Sequence, residues 1–162
     1  MSLESDDRRE FLRHTVATLA YRGGKALRQA PEGFATTRAC DTCRSAGEIL
    51  SHIGDLLEWA LWLAKGKRVW RDAPPQPWEL NVERFFDGLQ RLDEYLAADQ
   101  LLGYPAELIF QGPIADALTH VGQLATLRRL AGSPVRGENY FKAEIVVGRV
   151  GPEQSSKRVE FD

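Results

Sequence analysis

The chain has 162 residues, 43% of them hydrophobic and 27% charged, the proportions of an ordinary globular domain whose core needs no covalent staples. A formal net charge of −2 gives no overall electrostatic pull toward nucleic acid or an anionic membrane. No apolar run approaches the ~20 residues that span a bilayer, and the polar start MSLESDDRREF has no secretory hydrophobic stretch, so a cytoplasmic location is expected.

Four amphipathic segments follow one another, with no comparable strand pattern before the C-terminus. The first runs from about Ser5 to Gln29, and Ser5 with Asp6 and Asp7 suits a helix start. Its apolar line is Leu12, Val16, Leu19, Ala20, Gly23 and Leu27. A loop with Pro31 and Gly33 leads to the second segment, about Ser45 to Lys65, where Ser45 and Glu48 fit a capping box. Its stripe is Ile49, Ile53, Leu56, Ala60 and Leu63, and Gly66 is a natural stop. Three prolines within four residues forbid regular structure in KGKRVWRDAPPQPW. Its short basic run fits a wet loop, without nucleic acid.

The third helix is expected from about Trp78 to Asp99, with Val82, Phe85, Phe86, Leu89, Leu92 and Leu96 inward. The fourth spans about Pro105 to Ala131, and Pro113 inside it predicts a kink or short break. Arg128 and Arg129 suit its C-terminal end. After Ser133 the tail reads as a strand or extended arm, with QSSKRVEFD frayed. One all-α domain results, a four-helix bundle with its core over residues 5–135 and an arm over 136–162. Trp59, Trp62, Trp70 and Trp78 read as core and rim aromatics. Apolar surface on the tail and on the loop after the second helix leads us to expect a homodimer.

Cys40 and Cys43 form a single CxxC. A structural zinc site needs four ligands, and a thioredoxin-like role calls for a preceding strand that is absent here. The plain reading is two reduced thiols near a helix start.

Asp116 and His120 are four residues apart in GPIADALTHVGQ, which stacks them on one helix face. Their line continues through Gln123 to Leu127 and Leu130, so both are expected to point inward, where a polar pair needs a partner. His52 lies beside the apolar line of the second helix. Bundles build metal sites from side chains on facing helices, so His52, Asp116 and His120 would make a three-ligand site. Two imidazoles and a carboxylate suit zinc, nickel, iron or manganese and leave positions open for water or substrate. The alternative is an intrahelical ion pair with His52 satisfied locally. Gln123 is placed to orient a ligand. His14 falls on the opposite side of its helix, and Glu48 and Asp55, flanking His52, read as solvated charges. No P-loop, dinucleotide fingerprint, GxSxG or HExxH occurs.

SAGEILSHIGDLLEW resembles the second-helix signature of the DinB-like, YfiT-like superfamily of metal-dependent proteins. IADALTHVGQLATLRRLAGSPV resembles its fourth-helix signature, commonly a histidine, three residues, then HxGQ. The resemblance covers roughly residues 5 to 135. It implies a four-helix bundle with a long crossover and a divalent metal held by three histidines, one from the second helix and two from the fourth. His52 and His120 occupy two of those places, and Asp116 stands in the third, which shifts the preference toward harder ions. Relatives include thiol-dependent isomerases and transferases, so the resemblance implies a hydrolase or thiol transferase acting on a small molecule or low-molecular-weight thiol. It also admits a non-catalytic, ligand-binding or stress-associated bundle that keeps a vestigial site.

Overall fold

The computed structural model describes residues 3–161, with side chains from residue 6 onward. Helix α1 (Leu3–Leu27), α2 (Ala46–Ala64) and α3 (Trp78–Ala97) are followed by α4 (Ala106–Ile109), a π-helical segment (Phe110–Ile114) and α5 (Ala115–Leu130). The last three form one continuous fourth rod, and the four rods make an all-α bundle. Short 3-10 turns occur at Phe34–Thr36 and Tyr140–Lys142. No helix among the described residues is long and apolar enough to cross a membrane.

Packing follows the apolar stripes. α1 and α2 each lie against α3 and against the fourth rod, so both are central to one shared core. Every stripe residue expected in α1 and α2 is buried, as are Phe85, Leu89, Leu92 and Leu96 of α3. Gly23 is needed for the closest of these contacts, because a Cβ there would meet Phe85 Cζ at 2.4 Å. α2 starts with the complete capping box, Ser45 N–H donating to Glu48 and Glu48 N–H to Ser45 Oγ. It stops at Gly66, whose φ of 77° is the left-handed conformation that glycine adopts without strain.

Several expectations need correction. α1 begins at Leu3, so Ser5 lies inside its first turn instead of capping it. Pro113 interrupts the α geometry of the fourth rod as a five-residue π segment, with the helix continuing on both sides. Widening the turn accommodates the missing N–H and the ring, and Ala115 N–H reaches back to Phe110 O in the π pattern. No strand forms in the tail among the described residues. Asn139 N–H instead bonds Val159 O, and an isolated antiparallel bridge joins Glu138 to Glu160.

The tail end is therefore held through residue 161, not frayed; Asp162 lies outside the described residues. Its anchor is a buried cluster. Glu138 receives Tyr21 Oη–H and Lys25 Nζ (2.7 Å), and Lys25 also pairs with Glu160 (2.9 Å). Of the aromatic surface expected to meet a second copy, Trp70 packs partly on His52 and Trp59 yet remains exposed, as does Phe141.

Candidate metal centre

The residues that carry chemistry lie on α2 and α5, which pack directly together. Asp116 and His120 are one turn apart on α5, and His52 meets them from α2. His52 Nε2 is 3.8 Å from Asp116 Oδ2, and His120 Nε2 is 3.5 Å from Asp116 Oδ1. The two imidazoles stand edge to face, with centroids 4.8 Å apart and planes at 89°. One ligand atom from each of the three side chains lies within 4.8 Å of the others, so the group is able to hold a metal ion.

Both carboxylate contacts are longer than a hydrogen bond. His120 is oriented by Gln123, whose amide oxygen accepts from Nδ1 at 2.8 Å. In the neutral ring that bond puts the proton on Nδ1 and leaves the Nε2 lone pair toward the carboxylate. Burial holds the His52 imidazole below its ordinary range. The charges of Arg44 and His120 act in the same sense, against Asp116 and Asp55. The neutral form of His52, which has a lone pair to offer, is thereby favoured.

The inward placement expected for this line is only partly met. The His52 and His120 side chains are 18% and 12% exposed, but Asp116 is 49% exposed. Gln123 and Leu130 are also exposed. Leu127 of that line is buried, but the buried face of α5 otherwise runs through Ala117, Val121, Leu124 and Arg128, one position around the helix from Asp116, His120 and Gln123. The candidate ligands therefore occupy the rim of the core, where solvent reaches the carboxylate.

The surroundings contain residues that sequence reasoning missed. Trp70, from the proline-rich loop, packs on His52 and on Trp59, each with centroids 5.7 Å apart. A cavity of about 560 Å³ opens beside His120 and is also lined by Gln123, Arg44 and Cys43. A second, of about 350 Å³, borders His52, Arg44 and Asp55. Arg44 was invisible as a site residue because nothing local distinguishes an arginine that precedes a helix cap.

Asp55 is not the solvated charge expected. It is buried, binds Arg84 Nη2 at 2.6 Å and accepts Ala73 N–H at 3.1 Å, which ties the proline-rich loop to α2. Glu48 is exposed, and the Ser45 backbone N–H holds its carboxyl below the usual range. His14 is exposed on α1 and lies outside the cluster. Cys40 and Cys43 are not reduced thiols; they form a disulfide. A turn with Cys43 N–H on Cys40 O brings their Cα atoms to 5.1 Å, within the range a disulfide spans.

Architecture and site together define an all-helical bundle with a His–Asp–His group on facing helices. Comparison with known proteins finds no matching family model, no matching curated protein and no matching solved structure.

Proposed function

We propose that the protein is a metal-dependent enzyme of the DinB-like kind, a hydrolase or thiol transferase, with a divalent ion held by His52, Asp116 and His120. One observation carries this reading. His52 on one helix and Asp116 and His120 on a facing helix each offer a ligand atom, and these atoms lie within 4.8 Å of one another. Donors sharing one ion through ~2.1 Å bonds stand roughly 3–4 Å apart, a separation that the two carboxylate contacts have at 3.8 and 3.5 Å, and the wider group would draw together by a fraction of an ångström around an ion.

Bound there, a divalent ion supplies the Lewis acidity that makes a nucleophile of water or a thiol at neutral pH. The chain's own residues do the rest. Gln123 fixes the tautomer and ring orientation of His120. Trp70 packs on His52 and is backed by Trp59. Arg44 places a positive charge at both cavities, which favours an anionic substrate or a thiolate. The larger cavity has the size of a small-molecule site.

Elemental analysis of protein purified without an affinity tag tests the proposal. We expect close to one equivalent of zinc, nickel, iron or manganese, lost in His120→Ala while the helical circular dichroism is retained. Less than roughly a tenth of an equivalent, after exposure to each metal in turn, overturns it.

A further inference from the structure

We infer that Cys40–Cys43 is a redox-active disulfide that exchanges with a low-molecular-weight dithiol in the folded protein. The inference does not depend on the metal. A disulfide that stabilises a fold does so chiefly by closing a long loop, and this one encloses only Asp41 and Thr42. The loop is also held without it. Cys43 N–H bonds Cys40 O, Ala46 N–H bonds Thr37 O, and Arg38 Nη1 bonds Cys43 O at 2.9 Å. Neither sulfur belongs to the hydrophobic core, so breaking the bond removes no packing.

The two sulfurs are placed unequally. Cys40 is exposed, and Cys43 is half-buried and lines the cavity of about 560 Å³ that also holds Arg44 and His120. Cys43 also lies two residues before the cap of the 19-residue α2, at its electropositive end. A thiolate is therefore stabilised at Cys43, which makes Cys43 the leaving group and Cys40 the sulfur attacked.

The exchange balances. One thiolate of the dithiol attacks Cys40 Sγ, the S–S bond breaks, and its electron pair leaves on Cys43, which takes up a proton. The second thiol of the reductant then attacks the reductant sulfur of the mixed disulfide and releases Cys40 as a thiolate, which is protonated in turn. The protein gains two electrons and two protons, and the dithiol becomes a cyclic disulfide. Reduction places a thiol in the cavity beside His120.

The test uses the full native chain and dithiothreitol, with thiols counted after acid quench and helicity followed by circular dichroism. Two thiols should appear with unchanged helicity, at least about tenfold faster than oxidised glutathione is reduced under the same conditions. In single-cysteine variants, Cys40 of Cys43→Ser should be alkylated by iodoacetamide with a different pH midpoint from Cys43 of Cys40→Ser, the Cys43 midpoint being lower. Arg44→Gln should raise that Cys43 midpoint. Thiols that appear only as helicity is lost would overturn the inference. So would two free thiols that mild oxidant does not close, reduction by a protein dithiol but not by dithiothreitol, or equal midpoints for the two cysteines.

Discussion

Replacing Gly23 with alanine isolates the tightest contact in the bundle. A Cβ at Gly23 would stand 2.4 Å from Phe85 Cζ and 3.1 and 3.2 Å from its Cε atoms. Ordinary carbon contacts lie near 3.5–4.0 Å, so the ring must retreat by roughly 1 Å. Phe85 is wholly buried and packs edge to face on Phe86 at 5.0 Å, which leaves it no free volume. Overpacking of this kind costs about 2–3 kcal/mol, against a helix-propensity gain of about 1 kcal/mol for Gly→Ala. The net expectation is about 1–2 kcal/mol of destabilisation, or roughly 2–8 °C in Tm for a chain of this size.

Gly24 supplies the control. Its Cβ would meet Phe86 Cζ at 3.5 Å, an ordinary contact, so Gly24→Ala should stabilise by up to about 1 kcal/mol. Urea unfolding followed at 222 nm measures both variants. Phe85→Leu in the Gly23→Ala background should recover part of the loss, giving a coupling term in a double-mutant cycle. If the two alanine variants agree within about 0.5 kcal/mol, or Gly23→Ala is the more stable, the close approach does not govern packing here.

Three further outcomes follow from the same structure. Tyr21, Lys25 and the backbone of Val159 hold Glu138 below the usual carboxylate range despite the opposing effect of its burial. A depressed carboxylate contributes stability above its unfolded pKa and loses it as pH falls through the folded value. Glu138→Gln should thus cost about 2–4 kcal/mol at pH 7 and flatten the decline of stability below about pH 4.5; an unchanged acid limb in urea titrations would count against this. Arg128 donates to Ala26 O, Arg28 O, Ser133 O and Ser133 Oγ, all at 2.8–2.9 Å. Arg128→Met should cost about 2–4 kcal/mol in the same assay, and a loss under about 1 kcal/mol would show that water replaces the guanidinium. Gln123→Ala should weaken zinc binding about 10- to 100-fold by calorimetry with the fold intact, whereas an unaltered Kd would remove Gln123 from the site.

What was legible in the sequence was what local chemistry decides. The Ser45–Glu48 capping box, the Gly66 stop and the buried stripes of α1 and α2 need only neighbours within a turn or two. The spacing of Asp116 and His120 placed them on one face for the same reason. Asp55 was misread because its partner, Arg84, is 29 residues away. The tail was misread because Glu138 is secured by Tyr21 and Lys25, more than a hundred residues earlier. The exposure of Asp116 escaped because a helix face is defined to within about one residue, and the core edge falls in that gap. The disulfide escaped because spacing does not report the turn that closes it.

The π-helical segment around Pro113 has a geometric consequence for the site. An α-helix advances about 100° per residue and a π turn only about 80°, so over five residues the wide turn leaves everything beyond it about a quarter-turn behind α phase. Asp116 and His120 lie immediately past this turn. Their aim at His52 is therefore a matter of phase, written by five residues that contribute no ligand. Regularising all five residues of Phe110–Ile114 to α geometry would swing both side chains about a quarter-turn off α2, whereas deleting one residue along with that change would restore their phase.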